Sequence, residues 1–322
     1  MASLTEQLDN FFVTTLRGSR NVVANNIFSH TPLLYWYQQK GRIRPRPGGR
    51  TIDEALEYAN SGTATWLVKG QTLSLDDAEI LTDAVYSWSM VAGNITRYIQ
   101  DELANRDRYK LIDLVERKIN NVKMDLEDEL ETQLAAGVGT SGKIDGLQHL
   151  ISDTAAYTTS VGGITPSASS YWQNQTTTMS GISFAAQGLG KMRTLLNNCS
   201  KSKGANSRPD VIISAQTPFE YYEDTLQPQQ IFSDTKILDA GFENLKFKGL
   251  PMMWSSALSG RMYFINTNHI WLYYDPAAYF EMTAWKTIVD QVETRVAQLY
   301  VYLSHVTNRR TALGVLHTIT TA

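Results

Sequence analysis

The chain has 322 residues with a formal net charge of −3, and 43% of its residues are hydrophobic. That is enough apolar material for one large core or two smaller ones, and it is not the composition of a disordered chain. A pI near 6.0 argues against a protein that coats nucleic acid with its whole surface. The single cysteine, Cys199, cannot form an internal disulfide, so the fold does not depend on an oxidising compartment.

The hydropathy pattern predicts neither a secretory leader nor a membrane span. The first residues, "MASLTEQLDNFF", lack a basic segment followed by an apolar run. No window approaches the roughly 18 uninterrupted apolar residues that a membrane helix needs. We therefore expect a soluble protein that is made inside the cell.

The first quarter of the chain predicts extended structure. Residues 1–31 are typical of an irregular arm, and the pieces 51–59 and 63–73 predict the two strands of a long hairpin. This hairpin has too few apolar residues for a core of its own, so it must lie on another surface. The preceding segment contains prolines that permit only an edge strand. Cations recur along that segment, mostly at every second position: Lys40, Arg42, Arg44, Arg46 and Arg50.

From residue 74 the pattern predicts helices. Ser74 is a candidate cap for a helical stretch that continues towards residue 100. A second helix is predicted from about Asp101 to Gly137, which corresponds to a length of about 55 Å. Its apolar residues are spaced three or four apart, as one face of a helix requires. They are Leu111, Val115, Ile119, Val122, Leu126, Leu130 and Leu134.

Acidic side chains crowd the second half of the long helix: Asp125, Glu127, Asp128, Glu129 and Glu131. They are either a solvated face or a docking strip for the cationic segment of another subunit. For the cations three interpretations remain open: a nucleic-acid contact helped by the aromatic residues 35–37, a charged edge that prevents aggregation, or pairing with carboxylates across a subunit boundary. We favour the third, because the acidic helix is the obvious complement.

The second half of the chain mixes helices and strands. Residues 181–200 predict a helix, and residues 209–226 predict a buried strand, a turn and a helix. Short strands broken by Gly, Pro and Asn follow. The tail alternates apolar and polar residues, which predicts a long strand, a bend and a closing strand. The element order is that of an α+β protein.

No pattern predicts catalysis. The sequence "GVGTSGK" at residues 137–143 has phosphate-loop spacing, but it lacks the following hydroxyl residue and comes after a helix. The five histidines show no ligand pairing, and no nucleophile elbow occurs. We therefore expect no catalytic residue, no metal site and no cofactor, and a protein that is not an enzyme.

One combination of features resembles a known family. A long helix and a Gly-rich turn are followed by "IDGLQHLI" at residues 144–151, "VGGI" at residues 161–164 and then Trp172. This order resembles the Hong Kong 97-like major capsid proteins of tailed bacteriophages, and the likeness covers most of the chain. The domains that it implies are an N-terminal arm (1–31), an extended loop or E-loop (32–75), a peripheral domain (76–180) with a spine helix (101–137), an axial domain (181–277), returning peripheral strands (278–308) and a final axial strand (309–322).

The resemblance also implies a function. It is that of a coat protein that self-assembles through hexamers and pentamers into the icosahedral head enclosing the double-stranded DNA of a tailed phage. The protein would be part of the virion, assembled in the host cytoplasm, with separate scaffolding, portal and decoration proteins as further partners and no membrane. The alternatives are an encapsulin-like nanocompartment shell and a nucleic-acid-binding module that uses residues 40–50. The residues expected at subunit contacts are Lys40, Arg42, Arg44, Arg46, Arg50, Trp66, Asp125, Glu127, Asp128 and Glu131.

Overall fold

The computed structural model describes residues 32–60, 62–72, 79–100, 108–139, 142–201, 207–226, 245–288 and 291–319. The predicted arm at residues 1–31 lies outside this part of the chain. The described helices are α1 (Pro32–Gln39), α2 (Arg108–Ala136), α3 (Leu147–Leu150), α4 (Phe184–Ser200) and α5 (Gln216–Leu226). The described strands are β1 (Ile43–Pro45), β2 (Thr51–Glu57), β3 (Leu81–Ser87), β4 (Ser89–Tyr98), β5 (Gln175–Thr178), β6 (Val211–Ser214), β7 (Leu245–Phe247), β8 (Leu250–Trp254), β9 (Met262–Ile265), β10 (Ile270–Tyr274), β11 (Glu281–Met282), β12 (Lys286–Ile288), β13 (Gln291–Thr307) and β14 (Gly314–His317).

The first sheet is built around β13, the long tail strand that the alternating pattern predicts. One edge of β13 pairs antiparallel with all ten residues of β4. The other edge pairs with β12, β11 and β10, and β1 adds to β10 as a parallel edge strand. Pro45 is tolerated in β1 because an edge strand needs no amide on its open side. Helix α2 crosses one face of this sheet so closely that a Cβ on Gly93 would lie 2.5 Å from Val122.

The second sheet has the order β5-β14-β9-β6-β8-β7. Helices α4 and α5 cover one face of it, where Phe184, Phe219 and Phe264 belong to one buried cluster. The alternation of a strand places Ile212 in this cluster and Ile213 in the larger core on the other face. The predictions of a helix over 181–200 and of a strand, turn and helix over 209–226 are confirmed.

The helical prediction for residues 81–98 is wrong. This stretch forms the two strands β3 and β4, and its burial alternates with a period of two. In β3 the side chains of Ala84 and Tyr86 are buried while their neighbours are exposed. The β-branched and aromatic residues of this stretch fit a half-buried sheet better than a helix. Ser74, the predicted cap, lies outside the described residues.

The hairpin exists, but its second strand is not the predicted one. Strand β2 pairs with β3 from Thr51 opposite Ser87 to Glu57 opposite Leu81, and residues 63–68 form no strand. The paired stem also lies on its own subunit, because one of its faces is buried there. That face consists of Ile52, Leu56, Ala84 and Tyr86.

The first residues of the predicted extended loop form a helix. Residues 32–39 form helix α1, whose side chains Leu33, Leu34 and Tyr37 are buried in the main core. Pro32 occupies the first position of this helix, where a missing amide is tolerated. Helix α1 is part of the body of the subunit.

Two predicted domain boundaries do not follow the sheets. Strand β5, at the end of the segment assigned to the peripheral domain, pairs with β14 in the second sheet. Strand β10, which falls within the segment assigned to the axial domain, pairs with β13 in the first sheet. The chain passes between the sheets at about residues 174, 268 and 310. Apart from these shifts, the arrangement into two sheet-based domains remains our working division.

Candidate functional site

The stretch after the long helix is held by a buried arginine. Arg310 has essentially no exposed surface, and its guanidinium donates to the carbonyls of Leu150 and Trp172 and to the side chains of Ser152 and Asn174. Burial lowers the pKa of Arg310 to about 10. The side chain of Arg310 thus connects the two ends of residues 150–174. This Gly/Ser/Thr-rich segment is therefore held in place against the rest of the subunit.

The "VGGI" turn packs against the hairpin stem. Gly162 adopts φ +58°, and a Cβ there would lie 2.8 Å from the ring of Tyr86. The amide of Val85 donates to the Gly162 carbonyl, and the indole of Trp172 donates to the carbonyl of Val161. The motif therefore packs against strand β3 and holds it on the rest of the subunit.

The "IDGL" motif closes the end of the long helix. Helix α2 ends at Ala136, and the amide of Gly146 donates to the carbonyl of Gly137. A Cβ on Gly146 would lie 2.4 Å from the carbonyl oxygen of Gln133 and from the amide nitrogen of Gly137, so only glycine fits at this position. The carboxylate of Asp145 then accepts a hydrogen bond from the ring of His149 at 2.6 Å.

His305 is a buried hydrogen-bonding residue of the main core. Its Nδ1 lies 2.6 Å from the carbonyl of Asp145, which can only accept, so Nδ1 carries the proton. Its Nε2 then accepts from the hydroxyl of Tyr37 at 3.0 Å. Burial lowers the pKa of His305 to about 4, so the ring is neutral at pH 7.

Glu131, one of the predicted contact residues, is buried in its own subunit. Its carboxylate accepts a hydrogen bond from the hydroxyl of Ser255 at 2.9 Å, and the amides of Leu33 and Leu34 favour its charged form. Burial dominates and raises the pKa of Glu131 to about 7. Glu127 is also buried. Both carboxylates therefore lie below the surface of the subunit.

The remaining acids of the strip are accessible. Asp125, Asp128 and Glu129 are exposed on α2. Glu129 lies 3.9 Å from Lys143. The structure thus reduces the predicted strip to its exposed members, and Asp125 and Asp128 stay candidates for a subunit contact.

Three of the five predicted contact cations have partners in their own chain. Lys40 lies 3.5 Å from Asp210, and Arg42 donates to the side chain of Asn268. Arg46 pairs with Glu54 at 2.8 Å. Each of these three cations therefore has a polar partner within its own subunit, and their place in a subunit contact stays a prediction.

The other two cations, Arg44 and Arg50, are exposed, and neither forms an ion pair with a described residue. Of the aromatic residues 35–37 just before the cationic segment, Trp36 and Tyr37 are buried and Tyr35 is half-buried. Two of the three rings are therefore not available for the stacking on bases that single-stranded nucleic-acid binding uses.

The hairpin loop carries the two most exposed large apolar side chains in the described part of the chain. Trp66 is 98% exposed, and Val68 and Leu67 are 75% and 53% exposed. We call residues 63–68 the hairpin tip. A contiguous apolar group of this kind marks a surface that binds a partner. Among the predicted contact residues, Trp66 is the one that the structure leaves most available.

The described residues hold no group of three or more His, Cys, Asp or Glu side chains that could bind a metal ion. None of the described helices is long and apolar enough to cross a membrane.

Comparison with solved structures decides the fold. The chain aligns with the cyanophage A-1(L) capsid asymmetric unit over 87% of its length and 90% of that chain, with a TM-score of 0.62 and 17% identity. The chain has the Hong Kong 97-like capsid fold. The capsid of a native GTA particle matches the capsid fold over 87% of this chain and 89% of that one, with a TM-score of 0.56 and 10% identity.

A compartment protein shares the capsid fold. The holo-SrpI encapsulin complex from Synechococcus elongatus matches 88% of this chain and 86% of that one, with a TM-score of 0.52 and 12% identity. No protein-family model and no curated protein matches the sequence. At these identities the comparisons show a shared fold without close similarity of sequence.

Proposed function

We propose that the chain is the major capsid protein of a tailed phage, a structural subunit that assembles with copies of itself into the shell of the head. The observation that carries this proposal is the capsid fold together with an apolar hairpin tip that its own subunit leaves exposed. A monomer gains nothing from exposing Trp66, whereas a shell subunit buries such a residue against its neighbour. The role is structural and not catalytic.

In this proposal the subunits associate through hexamers and pentamers, and the assembled shell contains double-stranded DNA. The protein then resides in the virion and is assembled in the host cytoplasm, with scaffolding, portal and decoration proteins as additional partners. Arg44, Arg50, Trp66, Asp125 and Asp128 are the side chains that we assign to subunit contacts, because each is exposed.

Shell assembly is tested by electron microscopy of the purified chain across a range of concentration and ionic strength. Closed shells, sheets or ring-shaped capsomers are expected. A protein that stays monomeric under all of these conditions contradicts the proposal. The matched variant is Trp66→Ser, which removes the most exposed apolar side chain of the tip without touching the core and should reduce the yield of shells.

A nanocompartment shell is the second candidate, because an encapsulin complex shares the capsid fold. The phage assignment is favoured by the higher TM-score of the cyanophage capsid, 0.62 against 0.52. The contents of native particles separate the two. Double-stranded DNA inside the particle supports the phage assignment, and a packaged protein supports the compartment.

A further inference from the structure

The carboxylate of Glu131 lies where three elements of the subunit meet. It projects from α2, and its Oε1 accepts a hydrogen bond from the hydroxyl of Ser255, directly after β8. The amides of Leu33 and Leu34, in the first turn of α1, act on its charge. The other oxygen, Oε2, is buried and has no hydrogen-bond partner among the described residues. Such atoms are rare in folded proteins, because an unmade hydrogen bond in the interior costs free energy.

No cation balances the charge of Glu131 in the two elements that cover it. Residues 32–39 of α1 and residues 250–256, from β8 to the turn that follows it, contain no Lys, Arg, His, Asp or Glu. The titratable group that faces Glu131 from α1 is Tyr37, whose pKa is raised by burial and then by the charge of Glu131. On α2 itself, Glu127 precedes it by one turn and is also an acid. The closed surroundings therefore favour the protonated, uncharged form of Glu131.

The first turn of α1 can yield without the rest of the helix. Helix α1 has eight residues and a length of about 12 Å, and so short a helix depends on its tertiary contacts. Its far end is held independently of Glu131, since the hydroxyl of Tyr37 donates to Nε2 of His305 at 3.0 Å. Burial lowers the pKa of His305 to about 4, so this contact does not titrate near neutral pH. One end of α1 is therefore anchored, while the other lies on a side chain that changes charge.

We propose that Glu131 is a proton-operated latch on helix α1. Protonated Glu131 keeps the first turn of α1 closed against α2 and Ser255. Ionisation of Glu131 opens this turn, so that water reaches the carboxylate, while Tyr37 keeps the end of the helix in place. Residues 1–31 join the described part of the chain at Pro32, so the latch controls how firmly that junction is held. The inference concerns the single subunit and does not depend on the proposed capsid function.

The direction of the pH dependence follows from the two positions of Glu131. In the closed position burial raises its pKa to about 7, whereas contact with water in the open position restores the ordinary value of 4.5. Opening therefore releases a proton, and the closed form loses stability as the pH rises through the closed-state pKa. With these two values, the equilibrium constant for opening increases by about tenfold between pH 6 and pH 8.

Hydrogen exchange of the unassembled subunit tests the latch. After correction for the intrinsic pH dependence of exchange, the protection of the amides of residues 33–37 should fall about tenfold between pH 6 and pH 8. Strand β9, in the middle of the second sheet, reports global unfolding. Residues 33–37 should be less protected than β9 at each pH and nearly insensitive to low urea concentrations, because a local opening exposes little surface. Equal protection and equal urea dependence of the two segments would show that α1 opens only with the whole fold, which overturns the proposal.

Glu131→Gln keeps the shape of the side chain and removes its titration. We expect the protection of residues 33–37 in this variant to stay constant from pH 6 to pH 8, close to the value of the parent at pH 6. The matched control is Glu116→Gln, which removes an exposed carboxylate from the same helix and should keep the tenfold response of the parent. A pH response that persists in Glu131→Gln would belong to another group and would refute the latch.

Ser255→Ala gives a second test that leaves the titrating group in place. The hydroxyl of Ser255 donates to Glu131 and so lowers its pKa, and loss of this bond should raise that pKa further. The midpoint of the pH response should therefore move to higher pH, a shift that a structural role of Ser255 alone does not produce. The control Ser256→Ala changes the neighbouring exposed residue and should leave the midpoint where it is in the parent. An unshifted midpoint in Ser255→Ala contradicts the proposal.

Discussion

Glu131 is a carboxylate whose surroundings oppose its charge. It is a residue of α2 that is 7% exposed and lies against the start of α1, and burial is the largest influence on its pKa. The hydroxyl of Ser255 and the amides of Leu33 and Leu34 offset part of that effect. The balance raises the pKa of Glu131 from 4.5 to about 7, so the side chain changes charge close to neutral pH.

The pH dependence of stability follows from this balance. Between pH 4.5 and 7 the folded subunit keeps the proton that the unfolded chain has released, so the free energy of unfolding falls as the pH rises through this window. The contribution amounts to about 3 kcal/mol, and it is fully lost above the folded pKa. Glu131→Gln cannot titrate, so we expect the variant to gain stability relative to the parent as the pH is raised from 4.5 to 8.

Urea unfolding of the unassembled subunit at a series of pH values measures this difference. Asp128→Asn is the matched control, because it removes an exposed carboxylate from the same helix. The parent and the control should show parallel pH profiles. A constant difference between the parent and Glu131→Gln across the window contradicts the assignment.

Substitutions of Gly162 and Gly163 distinguish the effect of a steric contact on stability from the effect of the backbone conformation. Both have positive φ, +58° and +75°, but only a Cβ on Gly162 meets another group, the buried ring of Tyr86. We expect Gly162→Ala to lower the free energy of unfolding by about 3 kcal/mol and Gly163→Ala by about 1 kcal/mol. Thermal or urea unfolding of the two variants checks this order, and equal losses would show that the contact with Tyr86 does not restrict position 162.

At the scale of elements, the segment between the long helix and the second sheet depends on one side chain. Arg310→Met keeps the length of the side chain but leaves the carbonyls of Leu150 and Trp172 without their donor. Breaking such a buried charged network costs about 3–5 kcal/mol. Hydrogen exchange should then accelerate across residues 150–174 more than in β6, which lies in the second sheet.

Arg193→Met is the control for this prediction, since Arg193 is exposed on α4. It should leave both the unfolding free energy and the exchange pattern unchanged. Uniform acceleration of exchange throughout the chain in Arg310→Met would indicate a global loss of stability, and it would contradict a local role for Arg310.

The elements that the sequence predicts well are those whose burial follows one simple period. The apolar stripe of α2 has helical spacing, and the apolar residues of β13 alternate, so local pattern and tertiary burial agree there. The helical prediction for residues 81–98 was wrong because acidic residues and a candidate cap precede this stretch, as they would precede a helix. The burial of its side chains instead alternates, as in a strand. Only the pairing of β3 with β2 and of β4 with β13 decides its conformation.

Site residues were harder to predict because exposure depends on contacts that are distant in sequence. Glu131 and Asp128 are three residues apart in one acidic run, yet only the first is buried, under α1 and Ser255. Arg46 and Arg44 are two residues apart, yet only Arg46 meets a carboxylate, from strand β2. The structural role of Arg310 could not be predicted from the residues around it in the tail. Its four hydrogen-bond partners all come from residues 150–174, which are distant in sequence.

At the scale of the whole molecule, the structure divides the cationic segment into two pairs of arginines. Arg42 and Arg46 hold the segment to its own subunit, through Asn268 and Glu54, whereas Arg44 and Arg50 face outward. Charge reversal of the whole segment would therefore mix a folding defect with an assembly defect. Reversing one pair at a time separates the two effects.

We expect Arg44→Glu with Arg50→Glu to change the unfolding free energy of the subunit by no more than about 0.5 kcal/mol, because exposed charges contribute little to stability. Shell yield should fall, because the outward cations no longer attract the exposed carboxylates of a neighbour. Arg42→Glu with Arg46→Glu should instead lower the unfolding free energy, since a carboxylate at position 46 faces Glu54. Urea unfolding and electron microscopy of both double variants check these outcomes. Normal shells from the first pair would contradict a contact through Arg44 and Arg50, and an unchanged stability of the second pair would contradict the contacts within the subunit.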